Sequence, residues 1–262
     1  MLFNSFAMRS SLGLNEGKWL TPRRAWLGGL VFMTLLAWAY LFYLHASMAQ
    51  MTMAQMAAPN LQPWTWMDFS MMFVMWTVMM TAMMLPSAMP TIWLYARINQ
   101  SNGQTIKNIF FVCGYLALWT AFSAAATLMQ WALHAYGLLN AMDATNSRAL
   151  GGAVLIFAGV YQWLPYKRVC LNHCRSPLAF FMTRWREGRL GAWQMGLHHG
   201  AYCVGCCWAL MLVLFVVGTM NLLWVLIITL YVLLEKWLLS GVSVGRWAGW
   251  ALVISGAGLI ES

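Results

Sequence analysis

Long apolar runs that are almost free of charge dominate this sequence and decide what it can fold into. Of its 262 residues, 62% are hydrophobic and only 8% are charged, whereas a soluble domain carries about 45–50% apolar and about 25% charged residues. A helix needs about 20 apolar residues to cross a bilayer. The sequence therefore predicts an all-α, polytopic membrane helix bundle. Six transmembrane helices and a seventh that is shorter and glycine-rich are expected at about residues 26–45, 67–85, 108–134, 149–166, 199–218, 221–239 and 246–260.

The connections between these runs are too short to form an independent soluble domain. Residues 1–262 are therefore expected to form a single integral membrane domain. Its function must then be built mostly inside the helix bundle. The sequence leaves the oligomeric state open.

Basic residues predict the orientation, because positively charged loops stay on the cytoplasmic side of a membrane. With seven spans, Arg148 is the single basic residue on one side, and all the others fall on the opposite side. The amino terminus is therefore predicted to be cytoplasmic. The net charge of +9 is then a topology signal that faces anionic lipid, and it does not indicate nucleic-acid binding.

Sulfur-rich segments lie on two predicted spans that run in opposite directions. The second span runs inward and carries paired methionines, and the fifth runs outward and begins with histidines and cysteines. Both segments are therefore expected near the cytoplasmic end of the bundle. The candidate metal ligands are Met79, Met80, Met83, Met84, His198, His199, Cys203, Cys206 and Cys207.

The spacing of these residues favours one shared site for a soft metal ion. At about 100° per residue, His199, Cys203 and Cys206 fall on a narrow stripe of their helix. Thiolates and thioethers select monovalent copper, whereas imidazole accepts copper and zinc alike. The cluster therefore predicts copper, with zinc as the weaker candidate. Calcium and magnesium prefer oxygen ligands, and the 6 carboxylates of the chain do not cluster.

Each of these residues also has a structural explanation when it is taken singly. Methionine is adaptable core filler, and a cysteine in an apolar helix commonly acts as a small hydrophobic residue. The 22 methionines of the chain, their doubled pattern and the C-x-x-C-C unit favour ligation for the set as a whole.

Two further groups of candidate ligands lie in loops. The outer loop faces the oxidising side, where thioethers bind monovalent copper without forming disulfides, and it carries His45, Met48, Met51, Met53 and Met56. The alternative is an apolar loop that dips into the membrane interface. The inner basic loop should stay reduced and carries Cys170, His173 and Cys174. These are one ligand short of a closed tetrahedral zinc site, and an incidental cysteine pair is the alternative.

Three linked motifs resemble a known family. "MMTAMMLPSAMP" is followed far downstream by "GLHHGAYCVGCCWALM" and then by "LLEK". From about residue 26 to residue 240 the chain is similar to the bacterial family of predicted metal-binding integral membrane proteins that are often labelled copper chaperones. The resemblance implies an association with copper in a bacterial inner membrane. The matching positions are Met79, Met80, Met83, Met84, Pro86, Cys203, Gly205, Cys206, Cys207, Trp208, Glu235 and Lys236.

Glu235 and Lys236 form an adjacent acid and base near the end of the predicted sixth span. An ionisable residue inside a span is costly and therefore indicates function. Glu235 is a candidate for balancing the charge of a bound metal, or for closing the site through a lysine or arginine. Lys236 is expected to extend to the membrane interface, as long basic side chains near helix ends do.

These patterns predict a membrane protein that binds monovalent copper for transport, delivery or homeostasis. No phosphate-binding loop or carboxylate pair indicates an enzyme, so no catalytic residue is expected. Two alternatives stay open: an accessory subunit of a membrane metalloenzyme, and a thiol–disulfide oxidoreductase using the three cysteines of the fifth span. The expected partners are the lipid bilayer and copper-carrier proteins.

Overall fold

The computed structural model of the chain describes residues 16–48, 64–99, 104–139, 144–145, 147–237 and 241–261. The described part is built from α-helices joined by short connections. In chain order the helices are α1 (Glu16–Met48), α2 (Trp66–Ile98), α3 (Gln104–Ala135), α4 (Arg148–Tyr161), α5 (Pro165–Arg175), α6 (Pro177–Arg184), α7 (Gly188–Leu212), α8 (Leu214–Val217), α9 (Leu222–Trp237) and α10 (Gly241–Glu261).

Four segments are long and apolar enough to cross a membrane. They are Leu27–Ser47, Trp66–Ile98, Thr105–Ala135 and Gly188–Val217. A fifth crossing exists if α4 and α5, which meet at a bend of 63°, are taken as one broken span. The chain is thus a multi-pass membrane protein with four or five candidate spans within the residues that the structure describes.

The prediction of six spans and a shorter seventh is wrong. The run expected at 149–166 breaks after Tyr161, because Pro165 starts a second helix at a different angle. Helix α9 has 16 residues, fewer than the about 20 that a crossing needs. Helix α10 contains Arg246 and several glycines, and it is not among the candidate spans.

Helices α2 and α7 are longer than the sequence indicated. A capping box opens α2: the Thr65 hydroxyl accepts from the Asp68 amide at 3.3 Å, and the Asp68 carboxylate accepts from the Thr65 amide at 2.8 Å, which satisfies two free amides of the first turn. The helix then continues past Pro86 to Ile98, and α7 begins at Gly188, well before the expected start at 199. The sulfur-rich segments therefore lie near the middle of both helices and not near a cytoplasmic end.

Close packing of α3 against α7 sets the position of the cysteines. A Cβ atom added to Gly196 would lie 2.1 Å from the carbonyl oxygen of Phe111, and one added to Gly114 would lie 2.3 Å from that of Trp193. Only glycine allows the two backbones to approach so closely, as is common between membrane helices. The contact holds the cysteine-bearing face of α7 inside the bundle.

A second pair of helices, α4 and α10, packs in the same way. A Cβ atom added to Gly152 would lie 2.6 Å from the Gly256 carbonyl oxygen, and one added to Gly159 would lie 2.7 Å from that of Gly249. Helix α10 therefore covers one face of α4. Helix α7 packs against α3, α4 and α5.

Replacing Gly196 by alanine should destabilise the bundle, because the added methyl group meets a backbone carbonyl that has no rotamer to relax into. Overpacking of this kind costs about 1–3 kcal/mol. We expect a lower midpoint of thermal unfolding for Gly196→Ala in detergent. The control is Gly258→Ala, where no atom lies within 4 Å of the added carbon. Equal midpoints for the two variants would contradict the packing described here.

Candidate metal centre

The central group of sulfur atoms lies between α2 and α7. The sulfur of Cys207 lies 3.9 Å from that of Met84, and Cys203, Cys206 and Cys207 are each only 1% exposed. The thiols of Cys206 and Cys207 donate hydrogen bonds to the Cys203 carbonyl oxygen at 3.1 and 3.0 Å. Both thiols are thereby satisfied within their own helix, as polar side chains in membrane helices commonly are.

Helix α5 brings a further thiol to this group from the inner basic segment. The side chain of Cys174 contacts those of Cys203 and Cys206. The neighbouring Cys170 lies so close to α7 that a Cβ atom on Gly205 would be 2.9 Å from its sulfur. Two groups of candidates that the sequence kept apart therefore meet. The sulfur cluster, as we use the term below, consists of Met84, Cys174, Cys203, Cys206 and Cys207.

A buried ammonium group borders the sulfur cluster. The Nζ atom of Lys236 lies 2.9 Å from the Cys203 sulfur and donates a hydrogen bond to the Ser87 hydroxyl at 2.9 Å. The Tyr115 hydroxyl lies 3.1 Å from the same sulfur and 3.0 Å from the Met84 carbonyl oxygen, to which it donates. The expectation that Lys236 extends to the interface is wrong, because its side chain is 7% exposed. Polar partners inside the bundle hold it there.

Glu235 faces a different set of partners. Its carboxylate forms an ion pair with Lys167 at 2.5 Å, and both side chains are 2% exposed. The Tyr231 hydroxyl donates to the same carboxylate at 3.1 Å, and Lys167 also donates to Gln162. Of the two roles expected for Glu235, the structure shows the contact with a lysine. That contact joins α9 to the first turn of α5.

The two adjacent histidines of α7 lie in different environments. His199 is 3% exposed and is surrounded by the rings of Phe111, Tyr115 and Phe180, with centroids at 6.3, 5.7 and 5.8 Å. Within the part of the chain that the structure describes, its Nδ1 atom has no hydrogen-bond partner. His198 is exposed, and its Nδ1 atom lies 2.8 Å from the Gln194 carbonyl oxygen. The structure therefore brings His199 to the buried face of α7 and leaves His198 outside it.

The remaining candidate methionines of α2 are buried but lie on different faces of the helix. Met79, Met80 and Met83 are at most 1% exposed. Helical spacing puts Met80 on the face that carries Met84, and it puts Met83 on the face that carries Met79. Met79 lines a cavity towards α1 and α9. Of these four methionines, Met84 is the one whose sulfur contacts a cysteine sulfur within the part of the chain that the structure describes.

The loop candidates divide between described and undescribed residues. The imidazole of His173 stacks on Tyr202, with ring centroids 4.3 Å apart, and so lies beside the cluster rather than in it. The Nδ1 atom of His45 lies 3.4 Å from the Met220 carbonyl oxygen. Four predicted ligands lie outside the residues whose side chains the structure describes: Met48, Met51, Met53 and Met56.

The donor atoms of the sulfur cluster fit a soft ion, although they are not arranged around one. Across the described ranges, no three His, Cys, Asp or Glu side chains converge so as to hold a metal directly. The hydrogen bonds of Cys206 and Cys207 turn their sulfurs towards the Cys203 carbonyl. Rotation about one side-chain bond in each would release them. Thiols beside a thioether are the donor set that suits monovalent copper.

Sequence reasoning missed three polar residues of this region. Tyr115 and Ser87 each stand alone in an apolar run, and nothing in their own segments signals a role. Lys167 was counted only as a topology signal because it begins a basic run. Its partner Glu235, an acid inside an apolar helix, was the available signal that a buried cation had to lie nearby.

The fold and this site together define a class of protein: a multi-pass helical membrane protein with a buried cluster of thiols and a thioether. A family model described as copper chaperone (PpoB2) matches residues 73–259, which include the sulfur-bearing parts of α2, α5 and α7. The chain belongs to this copper chaperone family. Comparison with curated proteins and with solved structures gave no match.

Replacing Met84 by leucine should weaken copper binding without disturbing the fold. Leucine has a similar volume, and such exchanges in a core usually cost less than about 1.5 kcal/mol, but leucine offers no donor atom. The control is Met195→Leu, equally buried on α7 but about 12 Å from Cys203 along the helix axis. We expect competition with a chromophoric chelator to show weaker monovalent copper binding for Met84→Leu only. The same affinity in both variants would mean that Met84 is core.

Proposed function

We propose that the chain binds monovalent copper at the sulfur cluster and passes it to a partner, as a copper chaperone embedded in the membrane. One observation carries the proposal: thiols from α5 and α7 meet a thioether of α2 inside the bundle. Membership of a copper chaperone family agrees with this donor set. Copper is then the cargo of the protein, and we assign no catalytic residue.

The charge around the cluster also favours a monovalent ion. Copper(I) bound by two thiolates carries one net negative charge, and a charge buried in a membrane protein needs a partner. The ammonium group of Lys236, 2.9 Å from the Cys203 sulfur, supplies a compensating positive charge. Zinc is the weaker candidate, because its usual ligands are thiolates, imidazoles and carboxylates and do not include thioethers.

The distribution of basic residues supports an orientation. The end of α2, the start of α3 and the start of α7 lie at one end of the bundle, and they carry Arg97, Lys107 and Arg189. Since positively charged segments stay on the cytoplasmic side, we propose that this basic end faces the cytoplasm of a bacterium. The start of α1 then lies on the same side, which agrees with the cytoplasmic amino terminus that the sequence predicts, and the protein resides in the inner membrane.

Burial of the thiols argues against the oxidoreductase alternative. Disulfide exchange requires a second sulfur to reach the attacking thiolate. Cys203, Cys206 and Cys207 are each 1% exposed, and the bundle leaves no approach for a folded protein substrate. A protein disulfide would have to enter the bundle to meet these sulfurs, whereas a single ion needs far less room.

The copper site can be tested by replacing Cys203, Cys206 and Cys207 with serine. The purified protein, loaded with monovalent copper under reducing conditions, should retain the metal through gel filtration, and the triple variant should retain about one equivalent per chain less. Serine keeps a hydroxyl that can donate to the Cys203 backbone carbonyl, so folding should survive. Metal content measured against protein concentration reads out the result.

A matched control for this experiment is Cys113→Ser. Cys113 lies on α3 and is exposed, so its loss changes the number of thiols without touching the cluster. Copper retention should be unchanged in this control. If the triple variant retains as much copper as Cys113→Ser, the proposed function is wrong.

Replacing Lys236 by leucine should weaken copper binding by about tenfold or more, because hydrogen bonds to charged groups contribute about 1.5–3 kcal/mol. Leucine removes the ammonium group and adds no donor atom for copper. Lys107→Leu, at the basic end, is the control for loss of one positive charge. Affinity is measured by chelator competition at one pH and ionic strength. Equal affinities would remove Lys236 from the site.

A further inference from the structure

Two adjoining cavities lie at the end of the bundle opposite to the basic residues. They are formed where the end of α1 and the first half of α2 meet the turn between α8 and α9. Leu44, Met75 and Met220 line both cavities, so the two are separated only by side chains. None of the functional steps proposed above uses this region.

The inner cavity has the size of a single ion and is lined by soft donors. Its volume is about 20 Å³, close to what one water molecule occupies. One histidine and three methionines are among the residues that line it: His45, Met75, Met79 and Met220. Thr219, also in the lining, is buried, and its hydroxyl has no hydrogen-bond partner among the described residues.

The outer cavity lies between this small cavity and the surface of the bundle. Its volume is about 260 Å³, and Met71 and Met72 line it. Met71 is exposed at the surface of α2. The methionines thus run from the surface through the outer cavity to the inner one, and the described lining of both cavities contains neither cysteine nor carboxylate.

Thioethers continue from the inner cavity towards the sulfur cluster. Met75 and Met84 are nine positions apart on α2, or about 13 Å along the helix axis. Met79, Met80 and Met83 lie between them and are at most 1% exposed. Successive donors are at most four residues apart, or about 6 Å along the helix axis. Met84, at the end of the series, contacts Cys207.

We infer that the inner cavity is a second site for monovalent copper, through which the ion reaches the sulfur cluster. We call it the outer site, because it lies nearer than the sulfur cluster to the end of the bundle opposite to the basic residues. The ligands are the imidazole of His45 and the thioethers of Met75, Met79 and Met220. Soft donors without a thiol suit copper(I) on an oxidising side of a membrane. The direction of transfer rests on the proposed function, whereas the existence of the outer site does not.

The outer site is tested in the background of the Cys203→Ser, Cys206→Ser and Cys207→Ser variant, which removes the thiols of α7. Silver(I), a redox-stable probe for copper(I), is added to the full chain in detergent. Adding Met75→Leu and Met220→Leu should lower the bound silver by one equivalent per chain. The control is Met67→Leu with Met182→Leu, two exposed methionines outside both cavities, and it should lose none. Unchanged silver binding in the Met75 and Met220 variant would overturn the proposal.

A spectroscopic measurement covers the case in which the double leucine variant does not fold. In the same triple-serine background, X-ray absorption of bound copper(I) should show nitrogen together with thioether sulfur. His45→Gln changes an exposed side chain and should remove the nitrogen contribution. Its persistence would overturn the outer site. If the sulfur cluster does not bind copper, the variant in which only the three cysteines are replaced retains as much metal as the unchanged protein. The two proposals therefore fail in different measurements.

Discussion

The ammonium group of Lys236 is the constraint on which the centre of the bundle depends. A charge inside a membrane protein is stable only where polar groups replace its water. Ser87 of α2 and Cys203 of α7 make the contacts described for this charge. The neighbouring Glu235 faces the other way and pairs with Lys167, in the first turn of α5. Two adjacent residues of α9 therefore tie α2, α7 and α5 together around the sulfur cluster.

Local patterns in the sequence predicted part of this arrangement but not the rest. Helical spacing and opposite chain direction were enough to predict that a methionine of α2 meets a cysteine of α7, as Met84 and Cys207 do. The approach of Cys174 was not predictable, since it requires the 63° bend that Pro165 starts. The span count failed because hydropathy does not reveal where a helix ends. The position of Lys236 failed because its partners lie on other helices.

The buried thiols of α5 and α7 are confined to the centre of the bundle, whereas thioethers lie both there and at the far end. Thiols lie at its centre, where a buried ammonium and a tyrosine hydroxyl contact Cys203, and the cavities at the far end are lined by thioethers. Thiols in an oxidising compartment are lost to disulfides, whereas thioethers keep their donor atom without pairing. Met220 escaped sequence reasoning because it stands alone in the turn after Gly218, whose φ of 90° redirects the chain into α9.

The length of α2 has a consequence for how any metal can leave the centre of the protein. Its 33 residues form a helix about 50 Å long, while the hydrocarbon core is about 30 Å thick, so α2 must tilt or protrude. Its last turn carries Arg97, whose guanidinium lies 4.6 Å from the Trp93 ring, a pairing suited to the headgroup layer. Met84 lies within a turn of the helix midpoint, at the depth where water is scarcest. An ion at that depth has no hydration shell to dissociate into, and it can move only by exchanging one protein ligand for another.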